Sequence, residues 1–344
     1  MCDSTAVAID IDALARWLTS MGIDFALPLR LCRIGHGYSN LTYRVADGEG
    51  RAWVLRRPPL GHLLDSAHDV VREARIMAAL AETDVPVPRI LGVATDSEIA
   101  DGPVVLMEFV GGVIVDTMPI ADSLIPEHRR RIATSMPGTL AKIHTVDLPA
   151  TGLADLAGPG PYAQRQLKRW SGQWERSKTR ESPALDALTG RLAASIPVQH
   201  EISLVHGDFH LRNLITSPTS GQVISVLDWE LSTLGDPLAD MGSLLTYWPE
   251  PGEPSSGVFE ASTLEGFPSR AEMAQLYLDE TGRDPATLRY WHTLGLWKLA
   301  IIAEGVRRRT LAAPRNESTA GTPTLAHIDA LIAKAGEIAD TAGI

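Results

Sequence analysis

The sequence predicts an α+β fold, and three observations point to it. Short strand-like apolar runs fall before residue 110 and again between residues 202 and 227. Helical spacing dominates the remainder, and clusters of Gly, Pro and Ser separate the segments. At 344 residues with 44% apolar side chains, the chain is long enough to bury a large core.

Taken in chain order, residues 52–55 read as a strand ending in Arg56-Arg57-Pro58-Pro59. Residues 67–82 carry Val70, Ala74, Met77 and Leu80 at helical spacing, and residues 104–109 form a continuous apolar strand before Gly111-Gly112. An amphipathic helix over residues 127–144 is marked by Ile132, Leu140 and Ile143, and Pro137-Gly138 should break or kink it. A Gly- and Pro-rich loop over 151–161 precedes a helix over 183–196. Residues 202–205, 213–216 and 223–227 are three short strands, the last two joined by Ser-Pro-Thr-Ser-Gly at 217–221. A helix runs from Asp240 to about Trp248, and residues 249–268 are loop-like. Residues 269–281 and 285–309 are strong helix candidates, and 312–322 link them to a final helix.

The residues between 204 and 240 carry the chemistry. His206, Asp208 and Asn213 stand in the pattern H-x-D-x-x-x-x-N, and Asp228 follows the turn. A hairpin closing near residue 220 sets Asn213 opposite Leu227, with Asp228 one step beyond. An amide oxygen and a carboxylate then lie side by side, suited to Mg2+, which keeps most of its shell as water and phosphate. Asp208, in the loop before the hairpin, is free to face an incoming hydroxyl. A base, a metal-binding amide and a metal-binding carboxylate are what phosphoryl transfer from a nucleotide requires.

HGDFHLRN followed by LDWE and GDPLAD resembles the aminoglycoside phosphotransferase and choline kinase-like family. The runs VLDWELSTLGDPLAD and SAHDVVRE are closer to its branch fused to acyl-CoA dehydrogenases. The resemblance extends from about residue 33 to about residue 309. It implies a bilobal protein-kinase-like fold, with a small antiparallel-sheet nucleotide-binding lobe over 1–110, including an N-terminal helix. A helical lobe over 111–344 would hold the catalytic loop and acceptor pocket.

Upstream residues take their expected roles from this resemblance. Gly35, Gly37, Ser39 and Asn40 form the turn over the nucleotide phosphates. Arg56 stands where kinases usually carry Lys, with Arg57 on the opposite strand face as the alternative, and Glu73 is its partner. Glu108 and Val110 mark the hinge that holds the adenine. Asp208 is the base, and Asn213 and Asp228 hold Mg2+. His206 orients the loop, while Asp236 and Asp240 anchor the catalytic and metal loops through backbone N–H groups. Glu230 lines the acceptor pocket or caps a helix. Tyr162, Trp170, Trp174, Tyr247, Trp248, Trp291 and Trp297 are candidate acceptor walls, although most belong in a core.

The expected activity is ATP-dependent transfer of the γ-phosphoryl group to a small-molecule hydroxyl, with the choice of ATP over GTP open. The acceptor is an aminoglycoside-like antibiotic or a hydroxyacyl-CoA, the latter favoured by the fused branch. A basic patch for CoA would come from Arg165, Lys168 and Arg169 or from residues 307–309. The competing reading is a catalytically weak nucleotide-binding scaffold, kept open by Arg in place of Lys. An ordinary protein kinase is disfavoured because H-R-D, D-F-G and A-P-E segments are absent. A net charge of −11 argues against nucleic acid as a partner. No apolar run approaches a membrane span, and the N-terminus lacks a signal pattern. Two cysteines suggest no disulfide framework, so the cytosol is the expected compartment. Oligomeric state is not legible.

Overall fold

The computed structural model describes residues 9–35, 40–59, 69–95, 98–253, 257, 259–312 and 322–344. The chain forms two compact units, Met1–Gly112 with Ile224–Glu230, and Val113–Val223 with Leu231–Ile344.

The first unit opens with α1 (Ile11–Ser20), capped by Asp10, whose carboxylate accepts from the Ala13 N–H at 2.8 Å. Strands β1 (Arg30–Ile34), β2 (Leu41–Ala46) and β3 (Ala52–Arg57) follow, then α2 (Val70–Leu80), β4 (Ile90–Ala94) and β5 (Val104–Glu108). The strands make one antiparallel sheet in the order β1-β2-β3-β5-β4. Period-two alternation turns Leu31, Tyr43, Val45, Trp53, Leu55, Val104 and Leu106 into one core with Leu14 and Leu18 of α1. Asp69 caps α2 by accepting from the Arg72 N–H at 2.9 Å. Gly92 lies at the β4 bulge, where a Cβ would meet Met21 Sδ at 2.4 Å, so a side chain there would require Met21 to move. Cys32 on β1 is disulfide-bonded, contrary to the reading from cysteine count.

The second unit contains α3 (Met118–Ser123), α4 (Pro126–His144), α5 (Leu148–Thr151), α6 (Tyr162–Ser177) and α7 (Pro183–Ala194). β6 (Ser203–Val205) and β7 (Leu214–Thr216) come next. In β8 (Val223–Val226) the chain crosses into the first unit, and it returns before β9 (Thr233–Gly235). Helices α8 (Pro237–Thr246), α9 (Arg270–Thr281), α10 (Leu288–Ala312) and α11 (Leu325–Ala342) complete it. β6 pairs antiparallel with β9, Leu204 opposite Leu234. The expected turn is present: Ser217 N–H donates to Gln222 O at 2.9 Å, and Gly221 takes φ +76°.

Pro137 does not break α4, which runs uninterrupted from Pro126 to His144. Its cost of about 3 kcal/mol is set against a fully buried stripe of Ile132, Ala133, Met136, Leu140 and Ile143. α10 packs against α6, α7, α8 and α11 and forms the centre of the unit. Its crossing with α8 is very close: a Cβ on Gly242 would lie 2.5 Å from the Trp291 carbonyl carbon. Among the described residues no helix is long and apolar enough to cross a membrane.

Candidate active site

The predicted site residues fall into two constellations, one in each unit. In the first, β3 alternation sends Trp53, Leu55 and Arg57 to one face and Arg56 to the other. Arg57 is spent on backbone carbonyls, those of Pro58 at 3.2 Å and Asp101 at 3.1 Å. Arg56 instead donates from Nε to Glu73 at 2.8 Å, from Nη1 to Thr42 Oγ1 at 3.1 Å and from Nη2 to Asp228 at 2.8 Å. Arg56, on the opposite face of β3 from Arg57, is thus bonded to two of the predicted acids. Glu73 is 2% exposed, and its second oxygen accepts from the Trp229 N–H at 3.2 Å.

The balance of charge here is negative. Burial opposes the Arg56 charge, but Glu73, Asp228 and Glu230 together hold the guanidinium protonated. Burial, with Asp228 adding to it, pushes the Glu73 carboxyl up. Asp228 has φ +66°, the one positive φ outside glycine among the described residues. Asp tolerates this region better than most residues, and such conformations gather at functional sites.

Other predicted nucleotide residues in this unit are only partly assembled. Gly35 has φ +76°, and Asn40 donates to Glu230 at 3.4 Å. Gly37 and Ser39 lie outside the described residues. Glu108 is tied to the adjoining strand: its N–H donates to Arg89 O and its carboxylate accepts from Arg89 N–H, both at 3.0 Å. Val110 is half-buried in the segment after β5. Glu230 lies in the Trp229–Leu231 turn after Asp228. Its carboxylate accepts from Asn40, and its carbonyl accepts from Arg72 at 3.4 Å.

In the second unit the loop after β6 is held by Asp240, whose two oxygens accept from the His206 N–H at 2.6 Å and the Gly207 N–H at 2.8 Å. Asp240 also bonds His144 Nε2 at 3.2 Å, and His144 Nδ1 reaches the Tyr277 hydroxyl at 2.7 Å. These donors outweigh burial and lower the Asp240 pKa, while burial keeps His144 neutral. Gly207 has φ +82°, and a Cβ there would meet Leu231 O at 2.8 Å. Asp236 was expected to bond a loop of the site, and the bond observed is instead a helix cap. It accepts from the Leu238 N–H at 2.9 Å and caps α8, the helix that carries Asp240.

This clamp presents Asp208. His206 is fully buried and accepts from the Asp208 N–H at 3.2 Å. Asn213 Nδ2 donates to Asp208 O at 2.9 Å and to its carboxylate at 3.1 Å, which leaves the amide oxygen turned away. His210 Nε2 lies 3.4 Å from the carboxylate, and the His210 ring packs against Tyr247 with 4.5 Å between ring centres. Burial would raise the Asp208 pKa, but His210, Lys298 and His206 hold it well below the usual carboxylate range. Asp208 therefore stays ionised, as a proton acceptor must.

Pattern reading missed Lys298 and His210. Lys298 Nζ donates to Gly207 O at 3.2 Å and lies 5.3 Å from the Trp170 ring centre. Burial depresses its pKa, and Asp208 pulls it back up. One signal was legible, a single lysine inside the apolar run LGLWKLAII. Among the candidate wall aromatics, Trp174, Trp248, Trp291, Trp297 and Tyr162 are core, whereas Trp170 and Tyr247 are half-exposed. Arg165, expected in a basic patch, donates to Gly158 O, Gly160 O and Leu234 O.

Residues 30–291 match the model of the phosphotransferase enzyme family. The chain is 39% identical over 321 residues to acyl-CoA dehydrogenase family member 10 of Mus musculus, covering 91% of this chain but 30% of that protein. A crystal structure from Ralstonia eutropha, provisionally assigned as an aminoglycoside phosphotransferase, is 32% identical, with a TM-score of 0.78 over 96% of this chain and 99% of that one. A thermostable aminoglycoside phosphotransferase mutant in ternary complex with ADP and hygromycin B is 14% identical, with a TM-score of 0.60 over 95% and 97%, a likeness of fold alone. The antiparallel sheet unit, the helical unit and the ordered loop from His206 to Asn213 agree with that assignment, and the chain belongs to the phosphotransferase enzyme family.

Proposed function

We propose that the chain is an ATP-dependent kinase acting on a small-molecule hydroxyl, with Asp208 as the base. The observation that carries this reading is the presentation of Asp208. It is ionised, about a quarter exposed and bonded by Asn213, in a loop whose two preceding N–H groups are held by Asp240. In the reaction the acceptor oxygen forms a bond to the γ-phosphorus as the bond to the bridging β–γ oxygen breaks. ADP leaves, and the hydroxyl proton passes to Asp208. Such general-base assistance is worth roughly 10²–10⁴ in rate.

Mg2+ fits the donors of each unit. Asp228 adds a carboxylate where three acids face one guanidinium, and Asn213 offers a free amide oxygen. These are hard oxygen ligands, few in number, as Mg2+ prefers. When bound, the ion would neutralise charge on the phosphate oxygens. Arg56 would bind phosphate in a fork and keep Glu73 and Asp228 oriented.

The acceptor we favour is a hydroxyacyl thioester, because the 39% identical relative bears a dehydrogenase name that points to acyl-CoA chemistry. An aminoglycoside is the alternative supported by the fold. The test is Mg2+- and ATP-dependent ADP release over a panel of hydroxyacyl-CoAs, aminoglycosides, macrolides and choline-like amines, run beside Asp208→Asn. Acceptor-dependent release lost in the variant is the expected result. Nucleotide binding without release for any acceptor would favour the scaffold reading instead.

A further inference from the structure

The surroundings of Asp208 are unusually cationic for a protein of net charge −11. Lys298 reaches in from α10, His210 lies beside the carboxylate, and Arg169 and Arg212 add positive potential. The other acid nearby, Asp240, is 1% exposed and occupied by two N–H groups and His144. A polycationic acceptor would meet repulsion from this cluster.

The Trp170 ring is also taken. Trp170 already stacks with Lys298 on one contact and Arg169 on another, each 5.3 Å from its ring centre. Lys298 uses one of its three N–H donors on Gly207 O, so two remain for a ligand. Gly207 immediately precedes Asp208, and the ammonium is thus anchored one residue from the base.

We infer that Lys298 is a specificity-determining residue that donates to an acyl oxygen of the acceptor while Asp208 takes the proton from its hydroxyl. The acceptor is then a hydroxy acid or its thioester, bearing a carboxylate or carbonyl oxygen a few atoms from the reacting hydroxyl. This rests on the kinase reading and deepens it. A half-buried donor discriminates strongly, because an acceptor without the oxygen leaves the two remaining N–H groups of the ammonium unsatisfied once solvent is excluded.

The experiment compares ADP release with 3- and 4-hydroxyacyl pantetheine thioesters, the free hydroxy acids, alcohols of matched length lacking the acyl oxygen, and an aminoglycoside. We expect kcat/KM for the acyl acceptors to exceed that for the matched alcohols by about 10–100-fold. Lys298→Met should collapse that ratio toward unity, mainly through KM, and Lys298→Arg should restore part of it. Preference for the free acid identifies a carboxylate as the partner, and preference for the thioester identifies a carbonyl; either supports the inference. A preferred aminoglycoside, equal use of the matched alcohols, or a Lys298→Met effect equal on all acceptors would overturn it while leaving the kinase reading standing. No release with any acceptor would refute the kinase reading and this inference together. Should Lys298→Met fail to fold, the ratio measured on the wild-type protein decides alone.

Discussion

Replacing Gly242 with Ala should destabilise the second unit, whereas the same change at Gly138 should stabilise it. Both glycines are helical, at the middle of α8 and of α4. In a helix, Ala is favoured over Gly by about 1 kcal/mol. At Gly138 nothing lies within 4 Å of the added Cβ, so that preference acts unopposed. At Gly242 the Cβ would stand 2.5 Å from Trp291 C, 2.7 Å from His292 N and 2.7 Å from Trp291 Cβ. Ordinary contact begins at 3.4 Å, and two of the three atoms belong to the backbone of α10, which cannot rotate away. α8 and α10 would have to part by nearly an ångström. Overpacking of this kind costs roughly 1–3 kcal/mol or more, which exceeds the propensity gain. The displacement would also carry Asp240, two residues away, off the His206 and Gly207 N–H groups, so activity should fall with stability. Urea denaturation of both variants, followed beside acceptor-dependent ADP release, reads the two effects. If Gly242→Ala matches Gly138→Ala in stability, the close helix crossing is wrong, and with it the argument that α8 fixes the catalytic loop.

Three further outcomes follow from the geometry. Asp208→Asn keeps the shape of the loop but removes the base, so kcat should fall by roughly 10²–10⁴ while ATP still raises the melting temperature; retention of a tenth of the activity would argue against the assignment. Arg56→Met leaves Glu73 buried without its cation and should cost about 3–5 kcal/mol in urea unfolding, and a neutral result would mean the ion pair is not formed. His292 is buried, and burial together with the Arg270 charge lowers its pKa to about 3 from 6.5. It is neutral when folded and protonated when unfolded between those values, so its contribution is intact above about pH 6.5 and is lost as pH falls toward 3, with a limiting slope of about 1.4 kcal/mol per pH unit. His292→Gln should flatten the stability–pH curve in that window, and an unchanged curve would count against a neutral buried imidazole.

The candidate catalytic loop was legible because its residues are close in sequence. His206, Asp208 and Asn213 span eight positions, and the turn at 217–221 announces itself through Pro and Gly. The strand carrying Arg56 was readable from period two, which also separated it from Arg57 once the buried face was known. What could not be read depends on contacts distant in the chain. Lys298 stands ninety residues beyond Asp208, and only the packing of α10 brings it to Gly207 O. Pro137 was overrated as a breaker because a local penalty was visible while the buried stripe of α4 that offsets it was not. α6 escaped notice for a related reason. Its buried residues are Tyr162, Ala163, Leu167, Trp174 and Ser177, a stripe too sparse for an apolar-period search.

The way Asp240 is held suggests why this loop tolerates a left-handed glycine and a buried acid together. A loop fixed by packing alone could relax by sliding apolar surfaces. Two backbone N–H groups on one carboxylate fix both position and direction, and His144 with Tyr277 holds that carboxylate from behind. Because Gly207 alone admits φ +82° beside Leu231 O, the chain must turn at this point before Asp208. Asp208 is thereby aimed by bonds formed on folding, before any acceptor arrives, and Asn213 needs only its Nδ2 to complete the orientation. Such preorganisation places the cost of arranging the base in folding rather than in the chemical step. With Asp208 as the proposed base, turnover should then depend on Asp240 through the loop it holds.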